Sequence, residues 1–249
     1  MNRKSTKEIA KMAESDKILA EVLHKCRKKI IPGAIAAEID EFAEKEIIKL
    51  NAEPGFKNYN GFPNTLCLSI NEEVVHGLPT KNKIIKPGDI VSIDCGVKYK
   101  GWNSDAAFTL GVGKIKDNEQ ELISITKTAL EIAIKYIKPG IKINIIQEKM
   151  QSLIENAGFS VIRSLSGHGI GKNLHESPSI FNFVDKNNNF CLEEGMTICI
   201  EPMVAMGNFQ VKTEPDGWSI KTVDKSNTAH FEHTIAITKY GAQVLTKLN

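Results

Sequence analysis

The amino-acid sequence predicts an α+β fold in which two similar halves face each other across a pseudo-twofold axis. Three observations carry that expectation. Amphipathic helical stretches and short apolar strands follow one another in the same order twice along the chain. Ile31-Pro-Gly-Ala34 recurs as Lys138-Pro-Gly-Ile141, an offset of 107 residues (31 to 138), and each copy precedes a helical stretch. Gly88-Asp-Ile-Val-Ser-Ile-Asp94 recurs as Gly195-Met-Thr-Ile-Cys-Ile-Glu201 at the same offset, so each half ends a strand on a carboxylate. Asp94 and Glu201 would then meet at the axis, where a site draws ligands from both halves.

Residues 5–30 and 34–50 read as amphipathic helices separated by Pro32-Gly33, with Ile35, Ile39, Phe42, Ile47 and Leu50 at helical spacing in the second. Turn residues follow. The segment 89–110 reads as a hairpin, with strand formers Ile90, Val91 and Ile93, a turn within 98–101 and a return over 106–110. Helices resume at about 118–137 and 143–157, split by Pro139-Gly140 and closed by Gly158. Strands at 196–200 and 231–238 finish the chain. The expected unit is a single catalytic domain over residues 1–249, with halves at about 1–113 and 114–249.

At 249 residues the chain can bury a full core without disulfides or a structural metal. A net charge of +2 gives no support to nucleic-acid binding. Residues 1–17 carry no apolar stretch behind their basic residues, so no secretory signal is expected, and no run reaches the roughly 20 apolar residues of a membrane span. Five cysteines, odd in number and never spaced C-x-x-C, fit a reducing compartment and make the cytoplasm the expected location.

A hairpin turning on Tyr99-Lys100 places Asp94 directly opposite Asp105. Like charges so opposed, about 5 Å apart, are destabilising unless a cation lies between them. Glu201 and Glu232 repeat the oddity of an acid in an apolar strand, and buried carboxylates are rare unless paired or metal-bound. His168 and His175 lie in Gly167-His-Gly-Ile-Gly-Lys-Asn-Leu-His175, whose glycines let backbone approach a ligand closely. Seven residues apart, the two histidines can share a cleft without sharing a metal. His24, His230 and His233 read as surface or satisfied core residues. Asp94, Asp105, His168, Glu201 and Glu232 form an oxygen-rich set suited to Mn, Fe(II), Co or catalytic Zn, and four carboxylates balance two divalent ions. Two such ions would activate a water and polarise a carbonyl or phosphoryl group, which leaves peptide and phosphate both open as substrates.

At these residues the chain resembles the type I methionine aminopeptidases. The resemblance rests on Ser69-Ile-Asn-Glu-Glu-Val-Val-His-Gly-Leu-Pro79, Ser92-Ile-Asp-Cys-Gly96 with Asp105, Gly167-His-Gly-Ile-Gly171 with His175-Glu-Ser-Pro178, Ile200-Glu-Pro-Met203 and Phe231-Glu-His-Thr234, in family order. It implies the pita-bread fold, with a central antiparallel sheet and outer helices around the pseudo-twofold. It further implies that Asp94 chelates one metal, that His168 and Glu201 hold the other, and that Asp105 and Glu232 bridge both.

The implied activity is removal of the N-terminal methionine from nascent polypeptides whose second residue is small, by attack of a metal-bridging hydroxide on the first peptide bond. In that reaction Glu201 relays a proton to the leaving amine, His175 stabilises the oxyanion and His76 contacts substrate near the scissile bond. The family's methionine pocket maps onto Phe56, Tyr59, Phe62, Cys67, Leu174 and Trp218, with Phe62 standing where tyrosine is common and Leu174 where an aromatic is common. A monomer without an N-terminal zinc-binding extension is expected, so a ribosome contact would use the catalytic domain's own surface. Proline-specific peptidases of the same fold usually carry an extra N-terminal domain, for which residues 1–50 leave no room. The type II methionine enzymes carry a late helical insertion that this chain lacks, and non-catalytic relatives typically lose metal ligands.

Overall fold

Ser5 starts the first helix because its hydroxyl accepts the Glu8 amide while the Glu8 carboxylate accepts the Ser5 amide, a reciprocal cap at 3.3 and 2.9 Å. A computed structural model of the chain describes residues 3–247. Residues 1–2 and 248–249, the ends of the expected domain, lie outside the described residues. Helix α1 (Thr6–Arg27) is followed by α2 (Ala36–Lys49) and the strands β1 (Glu53–Pro54), β2 (Leu66–Ile70), β3 (Glu73–Val75), β4 (Ile90–Tyr99) and β5 (Trp102–Gly111). Then come α3 (Asp117–Tyr136), α4 (Ile143–Asn156), β6 (Ser160–Val161), β7 (Gly167–Gly169), β8 (Glu176–Ile180) and β9 (Thr197–Ile200). The chain closes with β10 (Met203–Ala205), β11 (Val211–Thr213), β12 (Ile220–Thr222), β13 (Thr228–His230), β14 (His233–Thr238) and β15 (Gly241–Val244).

The repeat seen in sequence is a repeat in hydrogen bonding. Helices α2 and α4 stand 107 residues apart at both ends. The Gly33 amide donates to the Ile85 carbonyl at 2.8 Å, and Gly140 donates to Leu192 at 2.7 Å. Likewise Ala36 donates to Lys83 and Ile143 to Phe190, at 2.8 and 2.9 Å. Gly88 and Gly195 both turn at positive φ, 91° and 88°. Two stretches of chain therefore solve the same local problem in the same way, and each delivers a strand into the middle of the molecule.

Strand β4 pairs with β5 along one edge and with β2 and β1 along the other, while β15-β14-β9-β7-β8 form a second antiparallel sheet. Alternation on the hairpin is clean. Val91, Ile93, Cys95, Val97, Ala106 and Phe108 enter the core shared with Leu19, Leu23, Ile39 and Ile47 of the outer helices. The opposite face carries Ser92, Asp94, Asp105 and Thr109, and Ser92 and Thr109 hydrogen-bond at 2.8 Å.

The hairpin register differs from expectation. Tyr99 pairs with Trp102, so the turn is Lys100-Gly101, with φ of 49° and 77°. Two positive φ values define the turn that matches strand twist, and Gly101 supplies one of them without strain. Asp94 therefore opposes Ala107, and Asp105 opposes Gly96. The shift is by two residues, so both aspartates keep the same face as diagonal neighbours rather than direct partners. The last expected strand also begins later than predicted, at His233. The chain leaves β13 after His230 and enters the other sheet at His233, which puts Glu232 on the crossing; Glu201 occupies the matching crossing between β9 and β10.

Asp40 on α2 fixes where β2 begins, accepting the Thr65 and Leu66 amides at 2.9 and 2.7 Å and the Asn64 side-chain amide at 2.9 Å. Asp40→Ala leaves two buried backbone donors unpartnered, for an expected loss of about 2–4 kcal/mol. The measurement is a lowered urea midpoint at unchanged slope.

Candidate metal centre

The two sheets meet where Glu232 crosses between them. Its amide donates to the Ala107 carbonyl at 2.9 Å, and the Thr234 hydroxyl donates to the Asp105 carbonyl at 2.8 Å. This seam sets Asp94 and Asp105 from one half beside Glu201 and Glu232 from the other. His168 joins them from β7, whose two glycines explain how. A Cβ on Gly167 would collide with the Cys199 carbonyl, and one on Gly169 would lie 2.5 Å from the Ser177 carbonyl. Only glycine lets β7 run so close to its neighbours, and that proximity brings the His168 Nε2 to 3.6 Å from Glu201 Oε1 and 3.8 Å from Asp105 Oδ2.

The electrostatics of this group demand a counter-charge. His168 Nδ1 lies 2.9 Å from the Gly169 carbonyl, which can only accept, so Nδ1 carries the proton and the Nε2 lone pair faces the two carboxylates. Burial, reinforced by His175, pushes the His168 pKa down to about 3, so the ring stays neutral. Burial pushes Asp94 up to about 7 and raises Asp105, Glu201 and Glu232 well above the usual carboxylate range, with mutual repulsion adding to the effect in the last three. Asp94 Oδ1, Asp105 Oδ1 and Glu232 Oε1 are buried without a hydrogen-bond partner. Carboxyl groups crowded this closely ionise together only beside positive charge, and the set fits divalent cations.

All the residues expected at the site line a single cleft of about 230 Å³. Asp94, Asp105, Glu201, Glu232 and His168 line it together. Phe56, Tyr59, Phe62, Cys67, Leu174 and Trp218 form the apolar wall, with Phe62 and Trp218 edge to face at 5.2 Å. Phe56 packs against Gly96, where a Cβ would come within 2.6 Å of its ring. His175 packs edge-on against both His168 and Tyr59, with ring centroids 4.3 and 5.1 Å apart. His76 projects from a backbone at φ 56°, an uncommon conformation for a non-glycine residue and a mark of functional constraint. Burial lowers the pKa of both His76 and His175.

Two neighbours of the acids escaped the sequence. Cys199 lies with Asp105, His168 and Glu232, their ligand atoms all within 4.8 Å of one another. Burial holds its thiol protonated. His230, expected to be a surface or satisfied core residue, is neither: it is 1% exposed, and its Nε2 lacks a hydrogen-bond partner and faces Glu201 Oε2 at 3.6 Å. His24 is exposed, and His233 contacts the Thr246 hydroxyl at 3.1 Å, as expected of both.

The family model for metallopeptidase family M24 matches residues 10–239. The chain belongs to that family. Curated relatives of this M24 enzyme include the methionine aminopeptidase of Mycoplasma capricolum, 45% identical over 98% of this chain and 97% of that protein. Methionine aminopeptidase 1 of Bacillus subtilis is 42% identical over 98% of each. Among solved structures, the methionine aminopeptidase of Thermotoga maritima superposes with a TM-score of 0.97 at 45% identity, covering 99% of both chains. The prolidase of Pyrococcus furiosus gives 0.81 at 26% identity, and this chain covers 66% of it. The fold is thus the pita-bread fold, and the protein is a metal-dependent peptidase. No helix among the described residues is long and apolar enough to cross a membrane.

The raised carboxylate pKa values set a pH dependence for chelator-treated protein. The folded form keeps protons that the unfolded chain, titrating near pH 4, has already lost, so folding stability falls as pH rises. For Asp94 the loss runs from about pH 4 to about 7. Metal binding replaces those protons. Differential scanning fluorimetry is expected to show EDTA-treated protein melting lower at pH 8 than at pH 5, with a larger Mn²⁺-induced rise in Tm at pH 8.

Proposed function

We propose that this chain is a methionine aminopeptidase that removes the first residue from nascent polypeptides when the second residue is small. The observation that carries this reading is that one cleft is lined both by the acidic cluster and by an apolar, largely aromatic wall. A flexible thioether side chain suits a wall of Phe56, Tyr59, Phe62, Leu174 and Trp218, with the Cys67 thiol beside it. A substrate seated there places its first peptide bond over the carboxylates.

Asp94 would hold one divalent ion and His168 with Glu201 the other, with Asp105 and Glu232 shared between them; Co, Mn, Fe(II) and Zn all suit the donor set. When bound, such ions supply Lewis acidity toward the scissile carbonyl and lower the pKa of water. Glu201 would take a proton from the attacking water and return it to the leaving amine. His175 is neutral and donates to the oxyanion that develops on the carbonyl oxygen. His76, held by its left-handed backbone, contacts the substrate beside the scissile bond. Crowding beyond the carboxylates restricts the second residue. The reading carries with it a cytoplasmic location, a monomeric enzyme and an encounter with substrate near the ribosome through the surface of this domain.

Metal-stripped protein reconstituted separately with Mn, Fe(II), Co and Zn should release methionine from Met-Ala-Ser and leave Met-Lys-Ser and Ala-Ala-Ser intact. No methionine release with any metal overturns the activity. Full activity in His168→Ala and Asp105→Asn overturns the site. His175→Ala should lower kcat by about 10²–10³ with KM little changed, as for loss of one oxyanion donor; a change confined to KM would place His175 in binding alone.

A further inference from the structure

The histidine that the sequence dismissed sits at the one carboxylate asked both to hold metal and to move a proton. We propose that His230 is a positioning residue for Glu201, its Nε2–H donating to Oε2 and so presenting Oε1 to the metal centre. This inference rests on the metal-centre reading above.

The placement of His230 is built rather than incidental. Strand β13 ends on it, paired with Met203, two residues beyond Glu201. Its amide donates to the Thr109 hydroxyl at 2.8 Å, and the same hydroxyl donates to its carbonyl at 2.7 Å, so one side chain from the other half clamps both backbone groups. The ring is buried, and its Nε2 has Glu201 as its single carboxylate neighbour among the described residues, at 3.6 Å. Glu201 itself is fixed from behind, where the Asn182 side-chain amide donates to its carbonyl at 2.9 Å.

The two oxygens of Glu201 thus face two different imidazoles at the same 3.6 Å. His168 turns a lone pair toward Oε1, because its own proton is committed to the Gly169 carbonyl. That contact is favourable only with a cation between them. A lone pair on His230 Nε2 would repel Oε2, whereas an N–H there attracts it and would make a charge-assisted hydrogen bond once the 3.6 Å separation shortens by a few tenths of an ångström. A hydrogen bond to the distal oxygen of a ligating carboxylate fixes its rotamer and its basicity, the role that outer partners of metal ligands commonly fill. An apolar residue of similar size would fill the space but leave Oε2 without a donor.

The test compares wild type with His230→Leu and His230→Gln, the second of which retains an N–H of similar reach. Mn²⁺ affinity is measured by calorimetry on metal-stripped protein, and kcat and KM on Met-Ala-Ser. The expected result for His230→Leu is a 10- to 100-fold weaker Mn²⁺ site and a lower kcat at nearly constant KM, with His230→Gln recovering most of both. Wild-type affinity in His230→Leu, or equal damage in His230→Gln, overturns the proposal. Should His230→Leu fail to fold, the ¹⁵N-histidine spectrum of wild-type holoenzyme decides, with the ring assigned by its loss in His230→Gln. An Nε2-protonated tautomer supports the proposal, and a bare Nε2 overturns it. Absence of methionine release from wild type, with the affinity order intact, would sink the aminopeptidase reading and leave the role of His230 standing.

Discussion

Four carboxyl groups and a lone-paired imidazole are forced into one cleft with no positive charge among them, and much of the architecture exists to hold that unfavourable arrangement together. In water such groups would separate. Here the hairpin faces outward onto two helices whose apolar side chains fix β4 and β5, and the hairpin's other face is left with Asp94 and Asp105 and nowhere to turn them. The cost appears as proton affinities raised far above those of free carboxyls. A protein tolerates such strain where cations relieve it, and a core supplied by both pairs of helices is large enough to sustain it.

The seam between the halves is what makes the cleft. Each half alone brings a strand to the centre and ends it on an acid, but neither closes a site. Closure comes from the backbone pairing of Glu232 with Ala107 and from the Thr234 hydroxyl, which accepts the Asp105 amide at 3.1 Å and donates to its carbonyl. Thr109 does the same for His230. Two threonine hydroxyls therefore act as side-chain surrogates for strand pairing, at points where the sheets cross and regular ladder bonds cannot continue. A displacement of the seam would separate the acids of one half from those of the other.

Most of this was legible in the sequence, for identifiable reasons. The helices were readable because they are amphipathic and bounded by Pro-Gly turns, and α2 and α4 repeat with one offset. Asp94 and Glu201 were readable because a charged residue at the end of a mostly apolar strand is costly without a partner. The turn of the hairpin was misplaced because Lys100 adopts positive φ, which residue type did not announce; only Gly101 carried that signal. The error was even in residues, so the face of both aspartates survived it. His230 and Cys199 were missed for a deeper reason. Their proximity to the acids depends on where strands leave one sheet for the other, and a switch between sheets has no local periodicity. In the pocket wall, by contrast, each residue was recoverable from the family resemblance and not from spacing, since Phe56 and Trp218 come from segments far apart in the chain.

The shape of the cleft also argues for the kind of peptidase it serves. A volume of about 230 Å³ is below the roughly 300–1,000 Å³ of pockets that take drug-sized ligands, and it must hold both metal and substrate. Phe62 and Trp218 stack edge to face in the wall of the same cleft that the acids line, which leaves room for a short apolar side chain beside the carboxylates. The histidines reinforce that limit. His76, His168 and His175 are kept neutral by burial, so the cleft offers hydrogen-bond donors and lone pairs but no fixed positive charge of its own. In the proposed function, recognition of a free amino terminus falls to the acids and selection of the side chain to the aromatic wall. Those two demands, met by residues lining one short cleft, are the requirements of an exopeptidase acting on a single apolar first residue.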